Sequence, residues 1–147
     1  MKSFKFRLEA LLKFRKMQEE QAQISFWQAT NQFRIEKEEL AKLEENVLEN
    51  MNLLRNFQQN LLSIETFKSF HHYFDKMKKE IQQQNESVKR ADEYRQECLK
   101  NLEEAVKSHK VVEKFREKKI QDYQAELLKE EQKILDEIGL QLYVREK

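Results

Sequence analysis

Proline is absent from these 147 residues, and glycine occurs once, at position 139. Average usage is roughly 5% and 7%. Sheets, barrels and α/β folds reverse direction often, and tight reversals rely on these two residue types. A chain that lacks them turns seldom. It is expected to be all-α, built from very few, very long helices.

The same shortage removes most catalytic scaffolds. A loop that cradles phosphate needs several glycines so that backbone N–H groups can approach the anion. No nucleophile elbow, zinc-protease helix or paired cysteine motif occurs either, so no enzymatic activity and no cofactor are expected. Cys98 is the single cysteine and has no partner for an intramolecular disulfide. The longest apolar runs are three residues, such as Ala10–Leu12 and Leu142–Val144. A membrane span takes about 20, so direct membrane insertion is not expected and a cytoplasmic location is.

Charged residues make up 37% of the chain, yet they balance to a net charge of +1. Nothing in that total favours nucleic acid. The distribution is uneven. Residues 1–16 carry Lys2, Lys5, Arg7, Lys13, Arg15 and Lys16 against Glu9 alone, and Lys114, Arg116, Lys118 and Lys119 form a second basic cluster. The stretch 36–49 is acidic and reads as a solvated helix flank.

The apolar residues repeat at alternating steps of three and four. One series runs Phe26, Ala29, Phe33, Glu36, Leu40, Leu43, Val47, Asn50, Leu54, Phe57, Leu61, Ile64. A second runs Phe74, Met77, Ile81, Gln84, Val88, Ala91, Arg95, Cys98, Leu102, Ala105, His109, Val112. A seam repeating every 3.5 residues belongs to a left-handed coiled coil. Between Val112 and Ile120 two steps of four pass through Arg116 before Tyr123 and Leu127 resume the pattern, a stutter that locally unwinds the supercoil.

Two seams imply one reversal. The expected fold is an antiparallel coiled-coil hairpin over 1–147, with helix 1 at about 4–58, a turn at about 59–63 and helix 2 at about 64–141. The turn falls on Asn60-Leu61-Leu62-Ser63, with Ser63 as N-cap of the second helix and Thr66 as the competing cap. The second helix is the longer, so its last part lacks an internal partner and leaves Tyr123, Leu127 and Ile134 exposed or used.

Two regions carry more apolar surface than a seam requires. At the start, Phe4, Phe6, Leu8, Leu11, Leu12 and Phe14 make a wide stripe suited to more than one partner surface, with simple coverage of the overhanging C-terminal helix as the structural alternative. After the turn, Phe67, Phe70, Tyr73 and Phe74 lead to Met77 and Ile81. Phe70, Tyr73, Met77 and Ile81 are expected to leave an exposed patch, a mark of a partner site, with a hydrophobic plug closing the hairpin as the structural alternative. His71 and His72 stand near Asp75, but adjacent helical side chains diverge by about 100°, so no metal site is expected. His109 and Cys98, both on the seam, read as packed core residues.

The opening string Phe4-Lys5-Phe6-Arg7-Leu8-Glu9-Ala10-Leu11-Leu12-Lys13-Phe14-Arg15 resembles that of the FliJ family, stalk-like proteins of the flagellar export apparatus. Ser63 followed by Phe70-His71-His72-Tyr73, Met77 and Ile81 is similar to the family's second-helix opening. Lys114-Phe115-Arg116-Glu117-Lys118-Lys119 resembles its late basic segment. The resemblance spans the whole chain.

This resemblance implies a two-helix antiparallel coiled coil similar to the central stalk of rotary ATPases. It implies binding to the hexameric export ATPase FliI, to the cytoplasmic domain of the export gate FlhA, and to export chaperones. Carried over by position, the gate-binding face is Phe70, Tyr73, Met77, Glu80, Ile81 and Gln84, of which Glu80 and Gln84 depart from a purely apolar patch. The ATPase-ring contact falls on the termini: Phe4, Phe6, Arg7, Leu8, Leu11, Lys13 and Arg15, with Arg116, Lys118 and Lys119. The implied function is a non-catalytic stalk of flagellar type III protein export. It serves flagellum biogenesis and hence chemotaxis, and associates peripherally with the cytoplasmic face of the cell membrane. The alternatives are a cytoplasmic holdase chaperone for exported flagellar proteins, or the equivalent stalk of a virulence type III secretion system.

Overall fold

A computed structural model describes residues 3–59 and 63–146, and no strand occurs among them. Helix α1 spans Glu9–Gln59 and α2 spans Ile64–Glu146. The two long helices pack against each other as a helical hairpin. Asn60, Leu61 and Leu62, where the sequence places the reversal, lie outside the described residues, as does Lys2 of the basic N-terminus. Ser63 does act as the N-cap: its Oγ accepts the Thr66 N–H at 3.2 Å, and its carbonyl accepts the Phe67 N–H at 3.1 Å. These contacts satisfy amide donors that have no partner inside the first turn.

Contacts group the chain into two units, one formed by residues 21–102 and one by residues 1–20 with 103–147. In the first, Phe57 meets Phe70, Asn50 meets Tyr73, Glu36 meets Gln84 and Phe33 meets Arg95. Positions that rise along α1 meet positions that fall along α2, so the helices are antiparallel there. Ala29, Met77 and Cys98 are buried, and the other seam residues from Phe26 to Leu54 and from Phe74 to Leu102 are half-buried. A seam between only two helices covers most side chains from one side, which is why so few are fully enclosed. Ile64, expected at the end of the first seam, is instead three-quarters exposed at the start of α2.

In the second unit Val112 is buried, and Arg116, Ile120, Tyr123 and Leu127 are half-buried. The seam therefore follows the two steps of four through Arg116. That position tolerates a cation because Arg116 Nε donates to Glu9 at 3.1 Å. From Leu128 to Glu146 every residue is exposed. The helix nevertheless continues through Gly139 to Glu146, five residues past the expected end at Gln141.

The expected helical start at Phe4 is not what the chain does, because α1 begins at Glu9. Phe4 lies 5.5 Å from the Tyr123 ring and Phe6 lies 5.9 Å from the Phe115 ring, centroid to centroid. Residues two apart diverge on a helix but share a side on extended backbone. A non-helical approach lets both phenylalanines reach α2.

Candidate interaction surfaces

The basic end is a built feature. Phe4, Phe6, Leu8 and Phe115 line an open hollow of about 430 Å³ together with Lys5, Arg7 and Lys119. Phe4 and Phe6 are half-buried, and the three cations are exposed. Lys119 Nζ stands 5.4 Å from the centre of the Phe115 ring, so part of that charge is held over an aromatic face. A neighbouring hollow is lined by Leu8, Val111, Val112, Lys114, Phe115 and Lys118. Of the ten candidate ring contacts, the first hollow gathers Phe4, Phe6, Arg7, Leu8 and Lys119, and the second adds Lys118. Leu11 is half-buried and Lys13 is exposed, neither of them lining a hollow. Arg15 donates to Gln18 Oε1 at 2.9 Å, and Arg116 is occupied by Glu9. Lys5 and Phe115 belong to this surface although sequence reasoning did not place them in it. The alternation of Phe4, Phe6 and Leu8 is the signal that an extended segment would turn them to one side.

The face after the turn differs from expectation. Met77 is only 6% exposed. The Tyr73 hydroxyl accepts a hydrogen bond from Asn50 Nδ2 at 3.1 Å. Gln84 Nε2 donates to the Glu36 carbonyl at 2.9 Å. Phe70 lies between Phe57 and Phe74, with ring centroids 6.1 and 6.3 Å away. The expected surplus at Phe70, Tyr73, Met77 and Ile81 is thus largely absorbed, since α1 runs alongside and offers Asn50 and Phe57 to cover it. Met77 serves the seam rather than an outer face. Glu80 is half-buried like Phe70 and Ile81, with 41% of its side chain exposed, and lies 4.0 Å from Lys76.

Exposed apolar residues lie elsewhere. Trp27, the single tryptophan, is 69% exposed, and Ile24 beside it is also open. Residues 21–33 contain no charge at all in a chain that is 37% charged. Sequence reasoning passed over this face because it followed the seam; the charge-free run is what marks it. Phe67 is half open near the start of α2.

Among the described residues no group of three or more His, Cys, Asp or Glu side chains is placed to hold a metal ion. His71 faces Asp75 at 3.5 Å on an exposed helix turn. His109 Nδ1 and Glu19 Oε2 pair at 2.5 Å across the helices, which accounts for a histidine on the seam. The Tyr94 phenol ionises above its ordinary range, chiefly through its hydrogen bond with Cys98 one turn away, and lies outside both surfaces.

The family model described as flagellar FliJ protein matches residues 4–147. No curated protein and no solved structure matches the chain. Among the described residues no helix is long and apolar enough to cross a membrane. With a match over nearly the whole length, on a chain that folds as two long packed helices, the protein belongs to the flagellar FliJ family of non-catalytic components of flagellar protein export.

Proposed function

We propose that this protein is the stalk of the flagellar type III export ATPase complex, coupling the FliI ring to the cytoplasmic domain of the gate FlhA and assisting delivery of substrates and chaperones. The observation that carries the reading is the hollow lined by Phe4, Phe6, Leu8 and Phe115 together with Lys5, Arg7 and Lys119. A lining that mixes apolar side chains with cations suits a ring interior that presents aliphatic loops beside carboxylates. Membership in the flagellar FliJ family supplies the export context. The protein would then sit peripherally at the cytoplasmic face of the membrane, through its partners rather than through a span of its own.

The gate contact is proposed on the early part of α2. Since Tyr73, Met77 and Gln84 are engaged with α1, the accessible contact is made by Glu80 together with the half-exposed edges of Phe70 and Ile81.

The test is ATPase stimulation of purified FliI by the full chain and by a variant carrying Arg7→Glu and Lys119→Glu. Both side chains are exposed, so helicity should be unchanged while stimulation is lost. Full stimulation by a well-folded variant at physiological salt would remove the hollow from the ring contact. Suppression of aggregation of exported subunits in the absence of FliI would instead support the holdase role.

A further inference from the structure

The last part of α2 has an apolar stripe that nothing in the chain covers. Leu128, Leu135, Ile138 and Leu142 are each about half exposed or more, with Ile134 alongside. In heptad terms Leu128, Leu135 and Leu142 occupy one seam position, and Glu131, Ile138 and Arg145 occupy the other. This is not a continuation of the intramolecular seam, whose next position after Leu127 would be Glu130. The stripe has been shifted by one residue and has a register of its own.

The two charged seam residues decide what fits. Glu131 lies one heptad before Ile138 and Arg145 one heptad after it. Among the described residues neither has an ion-pair partner within the chain. A second copy running parallel would set Glu131 against Glu131 and Arg145 against Arg145. A second copy running antiparallel puts Leu135 against Ile138 twice around a two-fold axis. Glu131 of each copy then lies in the layer next to Arg145 of the other, so each charge meets its opposite. The arrangement is self-complementary, as a two-fold interface requires.

Gly139 adds a second observation. The only glycine of the chain sits inside a helix, where glycine is less stable than alanine. Its backbone has no positive φ, so its conformational freedom is unused. Apart from its chain neighbours and the backbone of its own helical turns, nothing lies within 4 Å of the point where a Cβ would stand. It borders the stripe beside Ile138, where a missing side chain lets another helix come close.

We infer that the segment Leu128–Arg145 of α2 is a homodimerisation helix, pairing antiparallel with the same segment of a second copy. The inference rests on the stripe and not on the export reading. It adds a self-associated state to the free protein.

Sedimentation velocity on the full chain over a range of concentrations tests this. A monomer–dimer equilibrium is expected. Leu135→Lys with Ile138→Lys should give monomer at every concentration with helicity unchanged by circular dichroism. Glu131→Arg alone and Arg145→Glu alone should each weaken the dimer by about tenfold, and the two combined should restore it. A wild-type chain that stays monomeric throughout overturns the inference, whether or not the stripe then binds another protein. So does a dimer that survives the double lysine substitution. Failure of the charge reversal to rescue overturns the antiparallel pairing. ATPase stimulation by the monomeric variant is scored separately, since its loss would bear on the ring contact and not on self-association.

Discussion

Gln84 reaches across from α2 and donates from Nε2 to the backbone carbonyl of Glu36, at 2.9 Å, and to the carboxylate of the same residue. Both residues sit where the seam would otherwise be apolar. The amide satisfies a part-buried carboxylate that would be costly to leave without a donor, and fixes which residue of α2 stands opposite Glu36. Gln84→Leu alone is therefore expected to lower unfolding free energy by about 1–2 kcal/mol. Adding Glu36→Leu should recover that loss or exceed it, because an apolar pair needs no donor. Urea unfolding of the two singles and the double gives the coupling directly. Additive losses would mean that the two side chains are not paired in solution.

Asn50 makes the second polar tie across the seam. Its Nδ2 donates to the Asn46 carbonyl at 2.8 Å and to the Tyr73 hydroxyl at 3.1 Å. An asparagine on a coiled-coil seam lowers stability and fixes register. Asn50→Leu is expected to raise the melting temperature and to produce more than one set of amide resonances, as alternative pairings become populated. A lower melting temperature with a single set of resonances would refute the role.

Met77 and Glu80 separate packing from the proposed gate contact. Met77 is buried against α1, so Met77→Ala should cost roughly 2 kcal/mol, the low end for a core truncation in a thin seam. The Glu80 side chain is 41% exposed and, among the described residues, makes no contact with α1 that an alanine would leave unpaired, so Glu80→Ala should stay within about 0.5 kcal/mol of the parent. Glu80→Arg should weaken binding to the FlhA cytoplasmic domain with no change in the denaturation midpoint. Undiminished binding in calorimetry would take Glu80 out of the gate contact.

Ser63 starts α2. Ser63→Ala removes the acceptor for the Thr66 N–H and should cost about 1 kcal/mol, while Ser63→Asp should keep most of it. The comparison needs only thermal melts of the three chains. Equal melts for serine and alanine would assign the cap to Thr66 instead.

Much of this arrangement can be read from residue spacing. Steps of three and four put Ala29, Cys98 and Val112 on the buried side, and the two steps of four carry the seam through Arg116. The Ser63 cap follows from hydroxyl chemistry just before a helical run. These are local properties: they depend on the 3.6-residue turn and on neighbours a few positions away.

Phe4 and Phe6 belong to another kind of question. Their apolar character is plain in the sequence, but whether that stretch is helical depends on Tyr123 and Phe115, more than a hundred residues later. The same holds for Tyr73, Met77 and Gln84. Their spacing places them on one face of α2, and only the register against Asn50 and Glu36 turns that face inward. The sequence by itself determined two long helices, most residues of the seam between them and the cap of the second. The tertiary structure alone decided which apolar surface stays open. Exposure is set by what stands opposite a side chain, and that depends on contacts between residues distant along the chain.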